Sequence, residues 1–528
     1  SHQLFIMLTL KDNWERLFDR DAGGALEARL ASALSSARWY GGKARTIATV
    51  RIKDTIPLRT DTHSMVMVFI DVSYKDGGHD VYTMVLTASF GERALQMQEA
   101  HPQAVLAEMT VAGRNGDRRG FLQDALWDED CVAALLQTIR QGNRFQGEHG
   151  HLLASSSPAF STALLNAASA ESSVMRGEQS NTSVRFGRHA MLKLYRRFEP
   201  GLNPDLEVGR VLTAAGYAHS PTVLGSLEYA GRDQEPATVA IVHAFIENQG
   251  DAWQYTLSEL ERELADQSGP ATHAGSTYAA AAALLGRRTA ELHLALARNT
   301  DDPAFAPESC TSGYWQSLHD RMACSIEGSL GLLVRRLQDL HEPDRRLATL
   351  VLESKALLLS RVEAPVRRNP QAVRIRCHGD FHLGQVLYTG RDFVIIDFEG
   401  EPARPLAERR AKHVPIVDVA GMTRSFHYAA SSVLDRAGNR PDAGEGRSEL
   451  AQRTRQWYRS AADAFLSGYT ETAGKAPFLP EKADDRAVLL DAYLIEKACY
   501  ELSYELNNRP SWAGIPMNGL LQLIQAEL

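Results

Sequence analysis

Two acids and an amide stand at the ends of a short β-like segment, residues 373–398, in an otherwise helical stretch of sequence. Asp380 precedes a first apolar run, residues 385–388, and Asp397 follows a second, residues 393–396. The Gly-containing turn between the runs predicts a hairpin that brings both acids and the amide of Gln385 to one end. One carboxylate could then accept a proton from a hydroxyl, while the amide and the other carboxylate hold Mg²⁺ on phosphates. The spacing therefore predicts a phosphoryl-transfer site, with a polar hairpin between helices as the simpler alternative.

The same segment carries a motif, His378-Gly379-Asp380-x-His382-x-x-Gln385, followed twelve residues later by Asp397-Phe398-Glu399. It resembles the Brenner-type motifs of aminoglycoside phosphotransferase-like kinases, the small-molecule relatives of protein kinases. That family usually has Asn where this chain has Gln385, but Gln also presents an amide oxygen. The run His-Gly-Asp-x-His-Leu-Gly-Gln is similar to one branch, the bacterial maltokinases.

The resemblance implies an α+β fold, the two-lobed protein-kinase-like fold of the aminoglycoside phosphotransferase type, with ATP and Mg²⁺ bound between the lobes. It implies that Asp380 is the catalytic base and that Gln385 and Asp397 are metal ligands, with Glu399 assisting them. His382, within the motif, is counted among the sugar-binding candidates.

Two upstream residues fit the nucleotide side of such a kinase. Lys193 lies in the predicted strand 190–195, and Glu207 lies fourteen residues later in a helix that begins at Asn203-Pro204. In kinases a strand Lys grips the α- and β-phosphates and a helix Glu holds that Lys. Both residue types are common on surfaces, so the pair is informative only together with the motif.

Two further segments are assigned to ATP by their order along the chain. The polar loop 176–182 precedes Lys193, and its Ser180 and Asn181 are candidate phosphate contacts, with a plain hairpin turn as the alternative. The predicted strand 237–245 leads into the helical half, where a kinase hinge belongs. The backbone from His243 to Phe245 is therefore the candidate adenine contact.

Three other segments resemble maltokinases specifically: residues 38–45 (RWYGGKAR), residues 285–293 (LGRRTAELH) and residues 496–506 (EKACYELSYEL). Maltokinases use ATP to phosphorylate maltose at its anomeric hydroxyl, which gives maltose 1-phosphate for α-glucan synthesis. Residues 8–18 resemble the junction at which some members are fused to trehalose synthase, so this chain is expected to be fused to, or associated with, that enzyme.

The last of these segments has a physical interpretation as well. Lys497, Tyr500 and Tyr504 stand at positions i, i+3 and i+7, on one face of a helix. Aromatic faces and a cation suit a sugar, because rings cover its C–H faces and hydroxyls find hydrogen-bond partners. The alternative is a helix that packs on the core with its tyrosines partly buried. His293, by contrast, is expected to be a structural histidine.

Composition limits the other classes of protein. The 528 residues carry 57 Lys and Arg against 65 Asp and Glu, a net charge of −8, which gives no reason to expect a nucleic-acid partner. No apolar run approaches the ~18 residues of a membrane span. Five widely spaced cysteines fit a reducing cytosol better than a disulfide framework, so the chain is expected to be cytoplasmic.

The expected division is a cap over residues 1–105, a β-rich lobe over 106–246 and a helical lobe over 247–528. Within the last, the patterns predict helices at 277–297, 313–340, 344–366, 447–471 and 482–508, a mobile loop at 435–447 and a solvated basic loop around Lys412. A Ser-rich surface connection is expected at 154–158.

Two other functions stay open at this point. One is a related small-molecule kinase that acts on another sugar, an aminoglycoside or choline. The other is a catalytically silent pseudokinase that serves as a binding module. Loss of Asp380, Asp397 or Lys193 would indicate the silent module, and all three are present.

Overall fold

The structure, a computed structural model, describes residues 8–19, 23–160, 171–175, 180–232, 235–265, 277–438 and 447–525. The chain divides into two compact units, residues 1–210 with 221–247, and residues 211–220 with 248–528. The main division falls next to residue 246, where the pattern of strands and helices changes. Most of the predicted loop 435–447 and residues 176–179 of the predicted phosphate loop lie outside the described residues.

Within the described residues, the first unit contains the longer strands and four α-helices. Its strands are Leu8–Lys11 (β1), Ile47–Arg59 (β2), Ser64–Tyr74 (β3), His79–Phe90 (β4), Val105–Ala112 (β5), Arg118–Asp124 (β6), Arg144–Gln146 (β7), Gly150–Ser156 (β8), Ser172–Val174 (β9), Asn181–Phe186 (β10), Ala190–Tyr195 (β11), Arg197–Phe198 (β12), Val223–Gly231 (β13) and Ala237–Ala244 (β14). The helices are Gly23–Ser36 (α1), Gly91–Ala100 (α2), Glu129–Gln141 (α3) and Pro204–Ala214 (α4), whose last turn groups with the second unit.

These strands form two sheets within the described residues. The first has the order β1-β5-β6-β4-β3-β2, with β12 beside β4, and the second has the order β7-β8-β13-β14-β11-β10-β9. The first sheet continues through Asp124, so this layer extends past residue 105, where the sequence placed the end of the cap. A cap that ends after β6 is the better proposal.

Strand β3 is buried on both faces, which explains its unbroken apolar run. Val66, Val68 and Ile70 point to the core that includes Leu26 and Leu30 of α1. The alternate residues Met65, Met67 and Phe69 belong to the core shared with the second sheet and α3. Because successive side chains of a strand point to opposite faces, β3 contributes residues to both cores. The Ser-rich stretch at 154–158, predicted as a surface connection, mostly continues strand β8, which pairs with β13.

The second unit is mainly helical. Its helices are Ala252–Ala265 (α5), Thr277–Ala297 (α6), Ser312–Arg336 (α7), Glu342–Glu353 (α8), Lys355–Arg368 (α9), Leu406–Arg409 (α10), Ile416–Gly438 (α11), Arg447–Ala473 (α12), Ala483–Asn508 (α13) and Gly514–Gln525 (α14). Its short strands are Glu308–Ser309 (β15), Val373–Arg374 (β16), Val386–Tyr388 (β17) and Phe393–Ile395 (β18). Strands β17 and β18 pair antiparallel, which confirms the predicted hairpin.

The helices of this unit pack closely where small residues allow it. A Cβ on Gly286 of α6 would collide with the carbonyl oxygen of Phe465, and one on Gly468 of α12 would collide with that of Ala283. The alanine-rich sequence of α6 therefore serves close helix packing. The single helix predicted over 344–366 is wrong, because Ser354 separates α8 from α9.

The basic stretch that ends at Lys412 is not a solvated loop. The Lys412 ammonium donates to the carbonyl oxygens of Pro303 and Ala306, at 2.7 and 2.6 Å, and pairs with Glu308 at 2.6 Å. Only 8% of its side chain is exposed. Within the described residues, no helix is both long and apolar enough to cross a membrane.

Candidate active site

A buried carboxylate on α11, that of Asp418, binds the loop that carries Asp380. Asp418 is 1% exposed and accepts hydrogen bonds from the backbone N–H groups of His378 and Gly379, at 2.8 and 3.0 Å. The Nε2–H of His293 also donates to Asp418, at 2.8 Å, and the Tyr469 hydroxyl lies 2.8 Å from His293 Nδ1. Burial alone would raise the pKa of Asp418, but His293 and the other donors outweigh it and the pKa is lowered. His293 is therefore structural, as predicted.

The loop is also tied to the hairpin. His378 Nε2–H donates to the carbonyl oxygen of Ile396 at 2.8 Å, and the backbone N–H of Ile396 donates to the carbonyl oxygen of Gln385 at 2.9 Å. A Cβ on Gly421 of α11 would stand 2.6 Å from the Phe381 carbonyl oxygen, so only glycine lets α11 approach the loop this closely. These contacts hold the loop and both ends of the hairpin together.

The hairpin presents Gln385 at the start of one strand and Asp397 just after the end of the other. Asp397 has φ of 64°, a left-handed conformation that non-glycine residues seldom adopt and that often marks a functional residue. The hydrogen bond from the Ile396 N–H to the Gln385 carbonyl oxygen holds the two ends of the hairpin together, and the side chains there, a carboxylate and an amide, offer the oxygen ligands that Mg²⁺ prefers. Glu399 follows two residues later, where its carbonyl oxygen accepts from Arg409 at 3.2 Å.

Asp380 lies between two basic groups. Lys497 Nζ is 3.7 Å from Asp380 Oδ1, and His382 Nε2 is 3.9 Å from Asp380 Oδ2. Burial tends to raise the pKa of Asp380, but the positive charge of Lys497 and the electrostatic effect of the neighbouring histidines outweigh it, so the pKa is lowered. Burial lowers the pKa of His382, against the opposite pull of Asp380. At neutral pH the site thus holds an ionised carboxylate beside a neutral imidazole.

A cavity of about 590 Å³ opens beside Asp380, entirely within the second unit. One wall is the face of α13 that the sequence predicted, with Lys497, Tyr500 and Tyr504, and the Lys497 ammonium lies 4.9 Å from the centre of the Tyr500 ring. Burial and a hydrogen bond with Glu401 raise the pKa of Tyr500, so it stays a neutral phenol. The predicted face of α13 therefore lines a cavity with aromatic rings and a cation, and its contact with a sugar stays a prediction.

Several cavity residues were missed or left unassigned by sequence reasoning: Trp253, Glu401, Tyr428, Glu501, Glu505, Arg509 and Trp512. Glu501 and Glu505 stand at i+4 and i+8 from Lys497, so the same helical periodicity that found the tyrosines could have found them. Arg509 and Trp512 lie just after the end of α13, beyond the reach of its periodicity. Trp253, Glu401 and Tyr428 come from distant segments that no local pattern connects with α13. They needed the tertiary structure.

The nucleotide-side candidates lie in the first unit. Lys193, in the middle of β11, points its ammonium at Asp205 Oδ2, 3.4 Å away, and Asp205 also accepts from the Tyr195 hydroxyl at 2.8 Å. Asp205 and Glu207 share the first turn of α4, whose Asn203 side chain caps Asp205 N–H at 2.9 Å. Glu207 is 6% exposed. Asp205 is thus one carboxylate partner of Lys193, and a role for Glu207 stays a prediction.

The other two segments assigned to ATP are the polar loop before β10 and the backbone at the end of β14. Ser180 is exposed and Asn181 begins strand β10, opposite Tyr195 of β11. His243 pairs with Met191 and with Val223 inside the second sheet, and the backbone N–H of Phe245 donates to the His189 carbonyl oxygen at 3.0 Å. That N–H is therefore already paired, and an adenine contact from the other backbone groups of residues 243–245 stays a prediction.

Comparisons with known proteins bear on both parts of the chain. Residues 34–128 match the family profile described as the maltokinase N-terminal cap domain. A glucosamine kinase from Streptacidiphilus jiangxiensis is 28% identical over 356 residues, 66% of this chain and 73% of that protein. Another, from Mycolicibacterium smegmatis, is 25% identical over 350 residues, 66% of this chain and 78% of that protein.

A solved structure resembles nearly the whole chain. It is a glucosamine kinase in complex with glucosamine, ADP and inorganic phosphate, with a TM-score of 0.63, 19% identity, and coverage of 93% of this chain and 98% of that one. This likeness confirms the predicted α+β kinase-like fold, and the profile match confirms the N-terminal cap.

Proposed function

We propose that this chain is an ATP-dependent sugar kinase and that its acceptor is maltose. The premise is that the chain is a maltokinase-like protein with the aminoglycoside phosphotransferase fold. The product would be maltose 1-phosphate. The proposal includes a cytoplasmic location and an association with trehalose synthase. The observation that carries it is an ionised carboxylate, Asp380, at the edge of an aromatic-lined cavity.

The residues of the second unit have separate roles in the proposed reaction. Asp380 orients the anomeric hydroxyl and takes its proton, which typically contributes ~10²–10⁴-fold to the rate. Lys497 keeps Asp380 ionised, and His382 and Tyr500 contact the sugar next to it. Gln385 and Asp397 would hold Mg²⁺, with Glu399 assisting, and the ion would supply charge neutralisation on the phosphates of ATP. In the first unit, Lys193 would bind phosphate oxygens, and Ser180 and Asn181 would add hydrogen bonds.

Charge compensation in the cavity supports a neutral sugar over a cationic acceptor. Each cavity-lining carboxylate has a basic partner: Asp380 with Lys497 at 3.7 Å, Glu401 with Arg404 at 2.8 Å, Glu501 with Arg424 at 2.7 Å and Glu505 with Arg509 at 2.7 Å. An ammonium ligand is best bound by carboxylates without such partners. The cavity therefore suits maltose better than glucosamine, an aminoglycoside or choline.

The test is ATP consumption with a panel of acceptors: maltose, glucose, trehalose, glucosamine, kanamycin and choline. We expect turnover with maltose, and an Asp380→Asn control should remove it. Turnover with glucosamine or kanamycin and none with maltose would refute the substrate and leave the kinase activity intact. No ATP consumption with any acceptor would favour the silent binding module.

A further inference from the structure

The cavity beside Asp380 continues along α13 towards its C-terminal end. Lys497 and Tyr504 are seven residues apart, which at 1.5 Å per residue is about 10 Å along the helix axis. Beyond Tyr504 the lining continues to Arg509 and Trp512, in the segment that follows the helix. A single sugar ring held against Asp380 would leave this outer part of the cavity unfilled.

The volume of the cavity also indicates a ligand larger than a single sugar ring. At roughly 30 Å³ for each water molecule, a cavity of about 590 Å³ has room for about twenty waters. A bonded sugar atom takes up roughly half the volume of a free water molecule, so the twelve non-hydrogen atoms of a hexose would fill only about a third of this space, and the twenty-three of a disaccharide roughly three fifths. Pockets that bind ligands well are filled by them, because unfilled space forgoes both packing contacts and burial.

The outer part of the cavity has a wall that is already assembled. Arg509 donates from Nε and Nη2 to the carboxylate of Glu505, at 2.9 and 2.7 Å. Its guanidinium carbon lies 4.5 Å from the centre of the Trp512 ring and 5.6 Å from that of Tyr504. A guanidinium within cation–π distance of both rings, and bound to a buried carboxylate, favours this arrangement before a ligand binds.

This wall leaves an aromatic surface open. The Tyr504 side chain is 47% exposed, among the few large apolar side chains of the described residues that are this accessible. Covering such a ring with the C–H face of a sugar removes apolar area from water without unpairing a polar group. The neighbouring Glu505 is 1% exposed and also accepts a hydrogen bond from the Tyr428 hydroxyl at 3.1 Å. The carboxylate that binds Arg509 is therefore itself held in place.

Between the inner and outer parts, one carboxylate oxygen is available to a hydroxyl. Both hydrogen bonds from Arg424 go to Glu501 Oε2, at 2.9 and 2.7 Å, and among the described residues none reaches Oε1. Glu501 lies four residues after Lys497 and three before Tyr504, midway along the cavity. A hydroxyl near the link between two rings would find an acceptor there.

We propose that Tyr504, Arg509 and Trp512 form the subsite for the second sugar ring, so that these residues select a disaccharide over a monosaccharide. This inference rests on the proposed function, because the anomeric hydroxyl at Asp380 places the reducing ring at Lys497 and Tyr500. The other ring then lies outward, over Tyr504 and Trp512, while Glu501 accepts a hydroxyl near the link.

Binding measured without nucleotide separates this subsite from catalysis. The full chain is titrated with maltose and with glucose by isothermal titration calorimetry, where no phosphoryl donor is present and no turnover can occur. We expect wild type to bind maltose at least ~10-fold more tightly than glucose, and Trp512→Ala or Tyr504→Ala to reduce that ratio about ten-fold. Trp512→Phe, which keeps a ring, should recover most of the ratio.

Leu350→Ala is the matched control, since Leu350 is 48% exposed on α8 and does not line the cavity. Equal affinity for glucose and maltose in wild type, an absence of maltose binding, or variants that weaken both sugars alike would each overturn the subsite. The proposed function is judged separately, by maltose-dependent ATP consumption: a chain that turns over maltose with an unchanged binding ratio in Tyr504→Ala keeps its function and loses this subsite.

Discussion

Asp380 illustrates how opposing effects on one side chain set its chemistry. Burial alone would favour the neutral carboxylic acid, which cannot take a proton. Lys497 at 3.7 Å and the neighbouring histidines reverse this preference and lower the pKa. The carboxylate is therefore ionised at neutral pH, as the proposed base has to be, and Lys497, which lines the same cavity, acts on it through its charge.

Replacing Asp380 by Asn tests its role as the base. The amide keeps the shape of the side chain and removes the proton acceptor, so we expect turnover to fall at least ~10²-fold while ATP affinity stays near wild type. The measurements are steady-state kinetics and nucleotide titration. Turnover close to wild type in this variant would remove Asp380 from the proposed mechanism.

Replacing Lys497 by Met tests the electrostatic coupling. Without the ammonium, burial becomes the dominant influence and the pKa of Asp380 rises. Because the ionised form is the active one, the acidic limb of the pH profile of kcat/KM should move to higher pH. Lys355→Met, a lysine about half exposed, is the control and should leave the limb in place. An unmoved acidic limb in Lys497→Met would contradict the coupling.

At the scale of elements, the catalytic loop is positioned by helices that carry none of the proposed chemistry. Asp418 on α11 fixes two backbone N–H groups of the loop, and His293 on α6 with Tyr469 on α12 fixes Asp418. The close packing of α6 on α12, which Gly286 and Gly468 permit, therefore helps to position the residue before Asp380.

Asp418→Asn should destabilise the chain by about 2–4 kcal/mol, because an amide nitrogen would face a backbone N–H donor in a buried site. The free energy of unfolding is measured with urea. The folded-state pKa of Asp418 is lowered, so its contribution is fully present above the unfolded-state pKa and is lost as pH falls through the folded-state value. The difference between variant and wild type should shrink at acid pH.

Asp339→Asn, at a carboxylate 59% exposed, serves as the control and should change stability by less than ~0.5 kcal/mol. A difference between Asp418→Asn and wild type that is the same at neutral and acid pH would show that the ionised carboxylate is not what stabilises the loop.

At the scale of the whole molecule, ligands that bind only the folded chain should stabilise it by mass action. At a hundred times its Kd, a ligand adds ~2.7 kcal/mol. We expect ATP with Mg²⁺, and separately maltose, to raise Tm, and EDTA to remove the nucleotide-dependent part. A chain that responds to neither ligand would be a silent module. The net charge of −8 has no bearing on this outcome, since a neutral sugar needs no long-range field.

Elements with strong local patterns were predicted well. Helix α6 has the bounds expected from its periodicity, and the hairpin β17–β18 forms around the expected turn. The failures have tertiary causes. Residues 344–366 break at Ser354 although their apolar spacing is continuous, and Lys412 is buried because three oxygens from a distant segment receive its ammonium.

The sequence by itself determined the arrangement of the proposed catalytic motif, from His378 to Glu399, because its parts lie in and next to one hairpin and local spacing decides their geometry. It also determined the face of α13 with Lys497, Tyr500 and Tyr504, because helical periodicity is a local property. Only the tertiary structure decided that Asp205 pairs with Lys193, and that Trp253, Glu401 and Tyr428 line the cavity together with α13. The pairing of Lys193 and the closure of the cavity depend on packing between separate elements of the fold, which local spacing in the sequence does not specify.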